Sequence, residues 1–192
     1  MVEPARKLSY TFAEYLAIDE GSEVRHEYVN GEVFAMSGGT LEHSQIAANL
    51  ISTLSAQLRG RPCVVYTSDA RVRVRATGLA TYPDVTVVCG AIERDPENKH
   101  TITNPVVLVE VLSDSTEGYD REEKFSHYRR IPSLREYLLV SQHEQRIEHL
   151  SRNDDGSWTL RDVTPPEIVR IPSIGCELSL AEVYRDPLAA PG

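Results

Sequence analysis

The order of helical and extended patterns along this chain predicts an α/β domain built on a mixed sheet. Three observations carry that expectation. Runs such as VVLVEVL, YLLV and VTVV have strand length and are rich in Val and Leu, so they read as strands buried on both faces. Hairpin signals stand at Asn30-Gly31 and at Asn153-Asp154-Asp155-Gly156. Between them, apolar residues recur at three and four from Glu42 to Leu58, and a second helical pattern runs through DREEKFSHYRR.

In chain order, Thr11 to Ile18 follows a Ser/Thr cap signal and predicts a short helix with Phe12, Tyr15, Leu16 and Ile18 on its apolar side. RHEYVNGEVFAM predicts a hairpin through a type I′ turn. In that register Val29 faces Glu32 and Glu27 faces Phe34. Ser37-Gly38-Gly39 breaks the pattern before the helix of Ile46, Ala47, Leu50, Ile51, Leu54 and Leu58, which carries His43 in its first turn. CVVYTSDARVRVRA predicts one or two strands. Alternation puts Arg71, Arg73 and Arg75 on one side, and Val72 and Val74 on the other. YPDVTVVC is the next strand, with Asp84, Thr86 and Val88 pointing one way. The polar segment Gly90 to Asn104 reads as an exposed loop. VVLVEVL leads through a Ser/Asp/Thr cluster into the second helix, which Pro132 stops. LREYLLVS is another buried strand, QRIEHLSR and SWTLRDV form a late hairpin, and LSLAEVY is a helical turn.

A chain of 192 residues is most simply one domain, here taken as 1–192, with 41% hydrophobic and 26% charged residues typical of a globular protein. The net charge of −9 excludes a surface that is basic all over, so any nucleic-acid site is a local patch or a cluster of acids around a metal. Cys63 and Cys89 lie in apolar runs and read as buried thiols. No signal peptide, membrane span or lipidation motif is seen, which leads to an expectation of a cytoplasmic protein without a membrane partner.

The chemistry concentrates between Tyr82 and Tyr128. Glu110 interrupts the apolar run Pro105 to Leu112, where an ionised carboxylate costs several kcal/mol or more unless something compensates it. Asp84 heads a second Val-rich strand just after a proline, and Lys124 follows on a helical pattern. Two carboxylates on neighbouring strands with a lysine nearby suit a divalent metal and a phosphodiester. Mg²⁺ prefers oxygen ligands and keeps several waters, so Asp84, Glu110 and the backbone carbonyl of Val111 suffice to hold it. The plain structural alternative pairs the buried acid with an arginine of the RVRVR run.

The segments SYTFAEYLAI, RHEYVNGEVFAMSGGTLEHSQIAANL, YPDVTVVC, VLVEVLSDST, DREEKFSHYRRIPSLREYLLV and LSLAEVY appear in an order and spacing that resembles the Uma-type family of restriction-endonuclease-like proteins. That family is a branch of the PD-(D/E)xK nuclease superfamily, and the resemblance spans about Leu8 to Tyr184. It implies a restriction-endonuclease-like fold, a mixed central sheet flanked by helices with an N-terminal and a C-terminal hairpin. It implies a Mg²⁺- or Mn²⁺-dependent endonuclease acting on nucleic acid, DNA foremost, and leaves a homodimer open. The superfamily's lysine falls two residues after the acid, where this chain has Leu112. The Uma-type pattern instead places a lysine on the following helix, which is Lys124. Asp120, Lys124 and His127 are expected on one face there, with Phe125 and Tyr128 packed elsewhere.

Glu27 and His43 match motif positions of the family too. The resemblance makes Glu27 an outer-sphere ligand and gives His43 a contact to phosphate or water; the structural alternatives are a cross-strand partner and a helix cap. Arg71, Arg73 and Arg75 could meet a phosphate backbone, or could simply be one wet face of a strand. A rival of another class is a catalytically silent module of the same fold that binds nucleic acid or a protein partner, favoured by Leu112 and the acidic net charge. A zinc hydrolase lacks the His-rich ligand spacing it would need.

Overall fold

A computed structural model describes residues 9–114, 116–186 and 188; Leu8, where the resemblance begins, and Ser115, within VLVEVLSDST, lie outside the described residues. Helix α1 (Phe12–Glu20) starts at a reciprocal cap, in which the Thr11 hydroxyl accepts the Glu14 N–H and the Glu14 carboxylate accepts the Thr11 N–H. Strands β1 (His26–Val29) and β2 (Glu32–Ala35) form the expected hairpin. Asn30 and Gly31 take φ of 50° and 91°, the positive values that the tight turn requires, and Val29 pairs with Glu32 and Glu27 with Phe34. Helix α2 (Leu41–Gln57) buries Ile46, Leu50 and Leu54, its one apolar stripe.

The arginine-rich segment divides into β3 (Cys63–Thr67) and β4 (Arg71–Arg73), followed by β5 (Ala80–Thr81) and β6 (Val85–Cys89). The segment read as an exposed loop, Gly90 to Asn104, instead contains β7 (Arg94–Asp95) and β8 (Asn98–Ile102). Its polar sequence hid this: β8 lies parallel to β4, where it buries Thr101 and Ile102. Strand β9 (Val107–Leu112) leads to α3 (Glu117–Tyr119), which widens into a π-helical turn over Asp120–Lys124 and continues as α4 (Phe125–Tyr128). The chain then adds β10 (Glu136–Ser141) and the hairpin of β11 (Ile147–Arg152) and β12 (Trp158–Val163). A further hairpin, β13 (Ile168–Ile171) with β14 (Cys176–Ser179), carries no turn signal noted above, and α5 (Leu180–Val183) follows it.

The main sheet is mixed, in the order β12-β11-β10-β9-β6-β3, with β9 and β10 parallel and its other pairs antiparallel. A second sheet runs β2-β1-β5-β4-β8-β7, and β13 with β14 make a third. Alternation along β9 sorts the core into two. Val107, Val109 and Val111 face α2 and the β13–β14 hairpin, while Leu108 and Leu112 join the cluster containing Val72, Leu79, Tyr128 and Tyr137. Glu110 shares the second face. Cys63 and Cys89 are joined in a disulfide, which corrects the expectation of two thiols. Antiparallel pairing of β3 with β6 sets the two cysteines directly opposite each other, a proximity invisible at a separation of 26 residues. Cys176 is free and buried. No helix among the described residues is long and apolar enough to cross a membrane.

Candidate active site

The two acid-bearing strands are neighbours. Strand β6 runs antiparallel to β9 with Val85 against Val109, so the same register continued by one residue sets Asp84 against Glu110. Residues opposed in this way point to the same face. Asp84 is held at the strand mouth by the Val111 N–H, which donates to its Oδ2 over 2.7 Å. His43 Nε2 lies 3.2 Å from the same oxygen. The Asp84 contact is the main reason why the His43 pKa is raised, and hydrogen bonding to the Val111 backbone adds to it. The side chain of His43 is therefore spent on Asp84, and the helix is capped by Thr40, whose hydroxyl accepts the His43 N–H.

Glu110 is buried in the middle of β9, and two donors meet its Oε1: Lys124 Nζ at 3.1 Å and the Tyr128 hydroxyl at 2.8 Å. Lys124 Nζ also lies 3.2 Å from Glu27 Oε1 and 2.9 Å from Asp120 Oδ1. Glu27 comes from β1 in the second sheet, and Thr81 of β5 donates its hydroxyl to the same Oε1. One ammonium thus faces three buried carboxylates drawn from two sheets and a helix. Burial alone would lower the Lys124 pKa, but Glu110, Glu27 and Asp120 overcome it and hold the group charged well above its ordinary value. The carboxylates feel the opposite imbalance. Burial, which Lys124 only partly offsets, pushes Glu110 from 4.5 up to about 8, and burial raises Asp120 as well.

The stripe of the helix that reaches the acids differs from the one expected. Asp120, Lys124 and Tyr128 form the stripe on Glu110, whereas His127 turns away and bonds Thr77 Oγ1 through Nδ1 at 2.7 Å. This corrects the expected stripe, which had His127 inside and Tyr128 outside. A residue four positions on lies about 40° around an α-helix, against about 60° for three, so Tyr128 stays nearer to the line of Lys124. That spacing was the available signal for Tyr128. Arg121, inside the widened turn, anchors it to β11 by a fork in which its Nε and Nη2 reach Glu148 Oε1 at 3.1 and 2.7 Å. The Tyr137 hydroxyl adds a bond to the Asp120 carbonyl.

The arginine strand does not offer three guanidinium groups to solvent, which corrects that expectation. Arg71 is buried, paired with Asp19 and bonded to the Tyr82 hydroxyl and Thr101. Arg73 is half-buried between Asp95 and Glu97 and lies over the Phe12 ring. Arg75 is exposed, in the turn after β4. Alternation failed here because the second sheet is covered on the side expected to be wet.

The residues present fit a hard divalent cation. The donors are oxygens, and the buried carboxylates outnumber the lysine three to one. Among the described residues no group of three or more His, Cys, Asp or Glu is arranged so that it could hold a metal ion by itself.

A family model described as "Putative restriction endonuclease", Uma2, matches residues 12–182. An uncharacterized protein of Synechocystis sp., slr1290, is 38% identical over 172 residues, covering 90% of this chain and 90% of that protein. A second from the same organism, sll1609, is 33% identical over 153 residues, covering 80% of this chain and 86% of its own length. The crystal structure of a protein from Anabaena variabilis, described as a putative nuclease belonging to DUF820, superposes with a TM-score of 0.69 at 18% identity, over 85% of this chain and 91% of that one. At that identity the likeness speaks for the fold.

Proposed function

The chain belongs to the Uma2 family, and on that premise we propose that it is an endonuclease that hydrolyses phosphodiester bonds of nucleic acid, DNA foremost, with Mg²⁺ or Mn²⁺. The observation that supports this reading is the buried surplus of acidic side chains, with Glu27, Glu110 and Asp120 gathered on one ammonium and Asp84 across the strand pair. A fold that needed only stability would have less reason to hold such a surplus away from water. Asp84, Glu110 and the Val111 carbonyl would hold the cation. When bound, it supplies Lewis acidity toward the phosphate and a water acidic enough to attack near neutral pH.

The protein's own groups then have distinct tasks. Glu110 would serve as a ligand in its ionised form, its proton passing to solvent, and Tyr128 keeps its Oε1 oriented. Lys124 orients the attacking water and stabilises the charge that builds on the phosphoryl oxygens, being a compact, permanently charged donor. Glu27 and Asp120 hold that ammonium in place, with Glu27 available as an outer-sphere acceptor. Leu112 is no obstacle in this reading. The lysine missing from β9 is supplied to the same carboxylate from the helix, at 3.1 Å.

The rival reading, a silent module that binds nucleic acid or a protein partner, draws on the fact that Lys124 and His43 already satisfy much of the acid cluster. Calorimetric titration with Mg²⁺ and Mn²⁺, together with nicking of plasmid DNA, separates the two. The wild-type protein is expected to bind and nick. Asp84→Ala and Glu110→Gln should lose both, and the glutamine variant should melt at the same temperature or higher because a costly buried carboxyl is gone. A wild-type protein that binds cation weakly or not at all and leaves DNA intact sinks the endonuclease reading. Unfolding of Glu110→Gln would make Glu110 a structural ion-pair member.

A further inference from the structure

The donor pair assigned to the cation is already covered by a side chain. Asp84 Oδ2 accepts the Val111 N–H at 2.7 Å, and His43 Nε2 lies 3.2 Å from the same atom. A carboxylate oxygen has two lone-pair sites, so these two contacts fill it. The N–H belongs to the central strand β9 and cannot leave without breaking the sheet. The imidazole belongs to the first turn of α2, is partly exposed, and follows an exposed stretch from Ser37 to Thr40. Of the two groups on Oδ2, His43 is the one able to move.

The chain before the helix is shaped to the imidazole. A Cβ built on Gly39 would lie 2.8 Å from His43 Nδ1 and 3.0 Å from Cγ, closer than packed side chains tolerate. Glycine at this position is what lets the backbone lie against the ring while the ring covers Asp84. The Ser37-Gly38-Gly39 break in the sequence thereby acquires a reason beyond turn formation.

Resting on the cation-dependent reading above, we propose that His43 is a gate: its imidazole occupies the cation's place on Asp84 and must swing out before a divalent cation takes both Asp84 and Val111. The contact needs no particular protonation state, because a neutral ring carrying its proton on Nε2 donates to the carboxylate as an imidazolium does. Opening consumes part of the cation's binding free energy, so the observed affinity is lower than that of a site already open. The alternative is that the cation takes Asp84 Oδ1 and leaves His43 behind as an orienting partner, in which case loss of the imidazole weakens binding.

The experiment titrates wild-type protein, His43→Ala and Gly39→Ala with Mg²⁺ and Mn²⁺ by calorimetry, and follows the His43 imidazole nitrogens by NMR under Mg²⁺. The gate predicts tighter binding in both variants, by about tenfold or more, since the opening step is removed in one and the closed state is strained in the other. It also predicts that the wild-type His43 signals move as Mg²⁺ saturates. Equal or weaker binding in both variants, with wild-type binding still abolished by Asp84→Ala, overturns the gate and leaves the cation site standing. Failure of all three proteins to bind either cation overturns the gate and the cation-dependent reading together. Melting curves matching the wild type confirm that an affinity change is not a loss of fold.

Discussion

Two buried charge clusters in this protein can be set against each other. Against the second sheet, Asp19 of α1 meets Arg71 of β4 with one carboxylate to one guanidinium, and the Tyr82 hydroxyl and the His26 N–H complete the acceptor's bonds. Burial pushes the Asp19 pKa up, but the bonds from Tyr82, Arg71 and His26 outweigh it, so the carboxyl ionises below its ordinary 3.8. Around Lys124 three carboxylates share one ammonium, and Glu110 is left well above its ordinary range. Both clusters are buried and both join distant segments. Charge count separates them: the balanced cluster is complete in itself, and the unbalanced one carries the surplus of acids on which the proposed cation site rests.

The largest effect should come from breaking the balanced pair. Arg71→Ala leaves Asp19 buried without a counter-charge and is expected to cost about 3–5 kcal/mol of stability in a denaturant titration. Mg²⁺ should restore none of it, because no surplus of oxygen donors surrounds Asp19. A loss below about 1 kcal/mol would show that Arg71 is no more than a surface-type pair, and the contrast would fail.

Lys124→Ala tests the other side. It should slow cleavage by roughly 10²-fold or more, since the ammonium acts on charge that develops in the transition state. The variant should also be destabilised, and here Mg²⁺ should recover part of the loss by replacing the missing positive charge. Arginine should rescue poorly, because a planar fork does not stand in for a compact ammonium among three carboxylates. Cleavage at the wild-type rate by the alanine variant would reduce Lys124 to a structural counter-ion.

The smallest and most discriminating effect lies in pH. Asp19, with its folded pKa lowered, contributes stability above its ordinary 3.8 and loses it as pH falls through the folded value. Glu110 runs the other way. Between its ordinary 4.5 and about 8 the folded protein holds a proton that the unfolded chain has released, so its contribution is present at low pH and disappears as pH rises through that window. Cation-free protein should therefore lose stability from about pH 5 to about pH 8, and apparent Mg²⁺ affinity should climb over the same range and level off above it. Melting curves and calorimetry across that range check both; an affinity that does not change with pH would mean Glu110 is already ionised without the metal.

Much of this architecture is readable from local pattern. The Asn30-Gly31 hairpin and its register follow from the two positive φ angles, and α2 follows from its apolar spacing. Glu110 stood out because a lone acid in a valine-rich strand demands a partner nearby, and Lys124 stood out as the lysine on the helical pattern that follows, with the family pattern giving it a role. These signals live within a few residues of each other or in one strand's alternation. What the tertiary structure alone decided lies between distant residues. Asp19 claims Arg71 from 52 positions away, Cys63 meets Cys89, and β8 buries what its polar sequence described as a loop. Periodicity tells a residue which face it occupies; only the packing of one sheet against another decides whether that face meets water, a counter-charge or another layer of the core.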